Sequence, residues 1–288
     1  MLGLAGVALL GASWVRPRCE PSPRWLRRWG LVALMSVVLQ GVLGGLRVVL
    51  LKDAIGVLHA TLAQLFFVLT CAIALYTSGW WQALPARRPS AIDYRMGTLF
   101  VATTVMILAQ LTVGAAMRHQ HAGLAIPDFP LAYGKLWPGM DAGSVALYNA
   151  RRMEIVAVNP ITAFQIGLQM AHRFLALVIF GAVAFAAWSA RRKLGAGDYL
   201  SRLAVAWLGL ILTQALLGAA TIWSDKAADV ATVHVLFGAI CLGLGAMMSL
   251  IAWRELAYSH GRADSGAVAE QPYLSMLRPQ PSAGAGSH

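Results

Sequence analysis

Three histidines, His59, His172 and His234, sit inside long apolar runs of this chain. Imidazole is the side chain best suited there to ligate a metal or carry a proton near neutral pH. Each lies within the first two or three turns of its run, so at ~1.5 Å rise per residue the three share one depth. A histidine on an apolar helix has two readings, a satisfied hydrogen-bonding group or a functional ligand, and three at matched depth favour the second. Arg173 follows His172 directly, and Arg47 follows Gly44-Gly45-Leu46 near the end of another run. A guanidinium there either meets a fixed anion or snorkels to the interface. Cys19, Cys71 and Cys241 are far apart with no Cys-x-x-Cys spacing, which indicates neither a disulfide framework nor a zinc site.

The elements that must position these residues come in copies. QGVLGGLRVVLLKDAIGVLHATLAQLFF from Gln40 reappears as QALLGAATIWSDKAADVATVHVLFGAI from Gln214. Both join two apolar helices by a short Lys/Asp turn, and the offsets Gln40 to Gln214 and His59 to His234 agree to within one residue. A repeat in a membrane chain often places its site within or between the copies. Neutral imidazoles with no cysteine or carboxylate cluster nearby suit haem iron better than structural zinc, and a bundle of apolar helices can hold a porphyrin. His172 and His234 then form an axial pair, and the partner of His59 falls, by the repeat offset, just before Met1.

Composition agrees with a membrane setting. The 288 residues are 58% hydrophobic and 12% charged, with a mean hydropathy of +0.64, which is too apolar for a soluble domain of this size. The expected fold is all-α, a polytopic membrane helix bundle of about seven spans, at residues 2–15, 30–50, 54–79, 97–117, 164–190, 203–223 and 231–253. The first run lacks the charge pattern of a signal peptide and reads as the end of a longer helix. The net charge of +11 reflects membrane topology, and no nucleic-acid motif is present. Arg16 to Arg28, Arg87 to Arg95 and Arg191 to Arg202 follow alternate spans and should face the cytoplasm, as should the C-terminus. The long segment 118–163 and the two Lys/Asp turns then face the other side. Residues 261–288, rich in Gly, Ala, Ser and Pro, are expected to be a disordered tail. The bracketing of Asp128-Phe129 by Pro127 and Pro130 predicts a rigid loop that caps a site.

GLAIPDFPLAYG after Arg118, the QGVLGGLRVVL and HATLAQLFF helices and the His172-Arg173 pair together resemble the haem A synthase family. The resemblance implies eight helices in two pseudo-symmetric four-helix halves, here residues 1–96, an incomplete substrate-haem half, and 97–260, the haem b half with the outer loop. It implies a haem b cofactor on His172 and His234, with His59 at the substrate, haem O, whose C8 methyl group is oxidised to the formyl group of haem A for a terminal oxidase. Arg173 and Arg47 are candidates for the propionates. Haem O would come from a haem O synthase. The electron donor stays open and a homo-oligomer is possible.

The family's second helix opens with Glu-x-x-His-Arg, and Met1-Leu2-Gly3 aligns shortly after that motif, so the glutamate and the second substrate-site histidine have no counterpart in this sequence. Gln169 stands three residues before His172, and a neutral amide is no base. Ile126 stands where some members carry a loop cysteine. The expectation is a longer reading frame of an ordinary enzyme. The alternatives are a catalytically incomplete haem-b-binding or electron-relay protein and a transporter or assembly partner without haem. The lack of a recognisable presequence points to a bacterial plasma membrane.

Overall fold

The computed structural model describes residues 24–84, 92–151 and 160–276, with side chains to residue 257. The expected span at 2–15, with Arg16, Arg18 and Cys19, and the arginines Arg87 and Arg88 lie outside the described residues. The described residues are helical without a strand. Helix α1, Arg24–Leu50, turns through Leu51 and Lys52 into α2, Asp53–Thr77. A short α3, Gly79–Ala83, follows, with Ser78 accepting from the Trp81 N–H at its start. Helix α4 is Tyr94–His119, and α5, Ala142–Arg151, lies within the long loop. Then come α6, Ala163–Leu194, α7, Tyr199–Trp223, and α8, Ala228–Met276.

Six of these helices are long and apolar enough to cross a membrane. Each has at least 25 residues, more than the ~20 needed for a ~30 Å hydrocarbon layer. Backbone groups in such a layer must be satisfied internally, so long apolar runs fold as helices whatever their side-chain periodicity. Helix α8 keeps a helical backbone through Gly261 to Met276.

Helix ends are set by local chemistry. Thr162 and Gln165 form a capping box at α6, and Gly195, with a φ of 82°, ends that helix. Asp198 caps α7 by accepting from the N–H groups of Leu200 and Ser201. Asp93 caps α4 by accepting from Met96 N–H and also receives the Lys193 ammonium at 2.5 Å. The Lys193 hydrogen bond, helped by that of Met96, holds the Asp93 carboxyl below the usual carboxylate range. Its stabilising effect is therefore full above the ordinary aspartate value and fades as pH falls through the depressed one. Because both side chains are well exposed, the effect is small. Asp93→Asn is expected to flatten the part of the acid-unfolding curve below about pH 4; an unchanged curve would show that the cap makes no contribution in acid.

Four helices close a ring, with α4 against α6, α6 against α7, α7 against α8 and α8 against α4. Its centre holds the fully buried Phe100, Val183, Trp207 and Met248. The Trp207 indole meets Phe100 edge-on and donates to the Cys241 carbonyl at 2.9 Å. Gly245 makes room for this ring, since a Cβ there would lie 2.6 Å from it. Helix α2 packs on α4 and α8 outside the ring, and α1 packs chiefly on α2. At the basic end Arg254 lies 4.1 Å over the Trp81 ring, next to Tyr76, and Tyr94 meets Trp253. Such aromatic and cationic groups suit a membrane interface.

Candidate haem-ligating site

His59, His172 and His234 all lie toward the end of the bundle that carries the long loop, early in α2, α6 and α8. Each ring is half-buried, while its Nδ1 atom is sealed from solvent; those of His59 and His172 have no hydrogen-bond partner, and the His234 ring lies against the Gln214 main chain. The exposure therefore falls on the rest of the ring. Each also faces a glycine on the preceding spanning helix. A Cβ at Gly44 would stand 3.4 Å from His59 Cε1, one at Gly114 3.4 Å from His172 Cε1, and one at Gly218 3.2 Å from His234 Cε1. His172 and His234 lie within electrostatic reach of one another in the four-helix ring.

Such rings suit iron held in a macrocycle. Among the described residues no three His, Cys, Asp or Glu side chains converge on a point where a bare ion could sit. A porphyrin brings four nitrogen ligands and needs from the protein only axial ones. An imidazole with one nitrogen sealed against a neighbouring helix leaves the other edge for that role. The donor set therefore fits haem at His172 and His234.

The loop after α4 is fixed to the same turns of α6 that carry His172. Gln169, 2% exposed, accepts from Ile126 N–H at 2.7 Å and donates to Ile126 O at 3.2 Å. Arg173 donates to Asp128 O at 2.7 Å and Leu131 O at 2.8 Å, and its guanidinium lies 5.4 Å over the Phe129 ring. Asp128 in turn accepts from the N–H groups of Tyr133 and Gly134, where the chain passes through positive φ. The Tyr133 hydroxyl donates to Ala125 O, and its ring stacks on Tyr148 at 3.6 Å. The segment 123–134 is thus a rigid cap over the His172 end of the ring. Arg173, read from the sequence as a possible propionate partner, spends two nitrogens on this cap, and its buried Nε has no partner.

These contacts give Gln169 a role that its position in the sequence did not disclose. Its amide must donate and accept at once, which a carboxylate cannot do. Gln169→Glu is expected to lower stability by about 1–3 kcal/mol, by stranding a buried carbonyl. Thermal unfolding of the detergent-purified protein measures this, and an unchanged midpoint would remove the cap-holding role.

Arg47 is exposed at the end of α1. It lies in a group with Arg118, His119, His121 and Asp53, all within electrostatic reach of His119. The His119 ring packs against Gly56, three residues before His59. This cationic mouth stands about one helical turn outward from His59. Gln110, which donates to the His172 carbonyl at 2.9 Å, was not picked out by reading motifs. The signal that reveals Gln110 is a third Gln-x-x-x-Gly, at 110–114, masked because a long loop follows it in place of a tight turn.

Comparison with known proteins identifies the family. The family model described as cytochrome oxidase assembly protein, COX15-CtaA, matches residues 1–246. The heme A synthase of Beijerinckia indica subsp. indica is 27% identical over 252 residues, covering 85% of this chain and 66% of that protein. The heme A synthase of Agrobacterium fabrum is 32% identical over 189 residues, covering 65% of this chain and 48% of that protein. A third, from Methylobacterium sp. (strain 4-46), is 27% identical, covering 82% and 64%. The chain thus spans about half to two thirds of the length of these curated relatives. The family match runs through all three histidine-bearing helices and the cap that joins them: the chain is a multi-pass membrane protein and belongs to the COX15-CtaA family of cytochrome oxidase assembly proteins, the family of the haem A synthases.

Proposed function

We propose that this protein acts in haem A biosynthesis as a haem A synthase, oxidising the C8 methyl group of haem O to a formyl group. The observation that carries the reading is the set of imidazoles sealed on one edge, within a family match that covers them. His172 and His234 would hold haem b, and His59 would ligate the iron of the substrate haem O. Haem b, when bound, supplies one-electron redox chemistry.

The chain's own residues do the remaining work. The apolar helices exclude water and bind a flat macrocycle, and the cap held by Gln169 and Arg173 fixes the entrance at the loop end. Arg47 and the unpaired Nε of Arg173 offer positive charge to carboxylates of a bound haem. Residues 1–96 serve as the substrate side and 97–260 as the haem b side. With the basic end cytoplasmic, the site opens at the outer face of a bacterial plasma membrane. Haem O would arrive from a haem O synthase, and electrons from a donor not identified by these residues.

A second reading, a haem-b-binding electron relay without catalysis, is favoured by one observation. The residue three before His59 is Gly56 and that three before His172 is Gln169, and neither can act as a base. Absorption spectroscopy with haem extraction from the membrane-purified chain separates the readings. Low-spin haem b with haem O or haem A, together with turnover of added haem O, supports the synthase. Haem b without turnover supports the relay, and a colourless protein defeats both.

A further inference from the structure

The repeat seen in the sequence is finer than a half of the molecule. In each of the pairs α1/α2, α4/α6 and α7/α8 the first helix carries Gln-x-x-x-Gly and the second carries the histidine. Glutamine and glycine four apart share one helix face. Gln40 Nε2 donates to the His59 carbonyl at 3.1 Å, and Gln110 Nε2 donates to the His172 carbonyl at 2.9 Å. In the third pair the Gln214 amide lies on α8 at Gly238, four residues after His234, with its Nε2 3.1 Å from where a Cβ would stand. The residue four after each histidine is small, Ala63, Ala176 or Gly238, which lets the amide reach the helix.

A helical carbonyl already bonded to the N–H four residues on keeps a second lone pair, and glutamine uses it. That bond fixes the register of the two helices at the level of the histidine. One turn further along, the glycine then meets the ring, where a Cβ at 3.2–3.4 Å would stand at the tight limit of contact and shift the imidazole by at most a few tenths of an ångström. The attitude of each ring is therefore decided by the neighbouring helix as much as by its own.

We infer that Gln40 and Gln110 are positioning residues, each forming with Gly44 or Gly114 a clamp that sets the orientation of an iron-ligating imidazole, and that Gln214 with Gly218 is a variant of it at His234, its amide reaching Gly238 instead of the histidine carbonyl. The repeating unit is this two-helix clamp, present twice with its hydrogen bond among the described residues and a third time with the glycine contact and a shifted amide. The inference rests on the haem-ligation reading above. Groups beside a ligating histidine orient it and tune its metal, so the clamp has a spectroscopic consequence.

The test uses the full chain purified with its haem, comparing Gln110→Met, which keeps size but loses the donor, and Gly114→Ala with the unsubstituted protein. Haem content is measured by extraction, and ring attitude by the low-spin electron paramagnetic resonance signal and the haem midpoint potential. Both variants are expected to retain haem while shifting the largest g value and the potential. Gly181→Ala, on the His172 helix but with open space around it, should shift neither. Retained haem with an unchanged signal in Gln110→Met and Gly114→Ala overturns the clamp. If either fails to accumulate, Gly218→Ala gives the same readout at His234, where an unchanged signal is equally decisive. An unsubstituted chain without haem is a different failure, that of the ligation reading itself.

Discussion

His172→Ala is expected to abolish the low-spin bis-imidazole spectrum of the purified protein, and His234→Ala to do the same. The expected loss is complete because a bis-imidazole signal needs both rings. The His172 ring is set in α6 against Gly114, and the capped loop above it is held by main-chain bonds to Gln169 and Arg173. His121→Asn is the control. His121 is exposed in the loop with a φ of 52°, a conformation that asparagine tolerates, so the spectrum should not change. A low-spin signal that survives both His172→Ala and His234→Ala would remove these residues as ligands.

Trp207→Ala should have the largest effect on stability, about 3–5 kcal/mol by analogy with other buried aromatic truncations. Trp207 is fully buried at the centre of the four-helix ring, touches Phe100 and bonds to the Cys241 carbonyl. Lipid is as apolar as the ring, so the loss here is of packing contacts and a hydrogen bond more than of water-driven burial. Gly245 cannot refill the space, because its lack of a side chain is what admits the indole. Unfolding in graded denaturing detergent measures the change. Since this ring carries both His172 and His234, haem retention should fall in parallel, and a stable Trp207→Ala protein that keeps its haem would show that the ring tolerates the void.

Much of the fold was legible because a bilayer restricts the choices. Long apolar runs could only be helices, and six of the expected spans are helices within a few residues of their expected ends. The candidate site was legible at its histidines, since an imidazole in an apolar run is rare. The remainder was not. Gln110 sits in a run that looks like ordinary helix, and its bond to the His172 carbonyl spans a long loop whose path no local pattern specifies.

The sequence by itself determined the membrane class, the spans, the internal copies, the three histidines and the resemblance of the loop motif, because each depends on residue type and spacing along one chain. Only the tertiary structure decided what the polar groups between them do. It placed Gln169 and Arg173 on the main chain of the cap, set Gly44, Gly114 and Gly218 against the three rings, and joined α4, α6, α7 and α8 into one ring. The physical reason is that a donor's partner is fixed by the register between helices, and that register is set by side chains from separate stretches meeting in space.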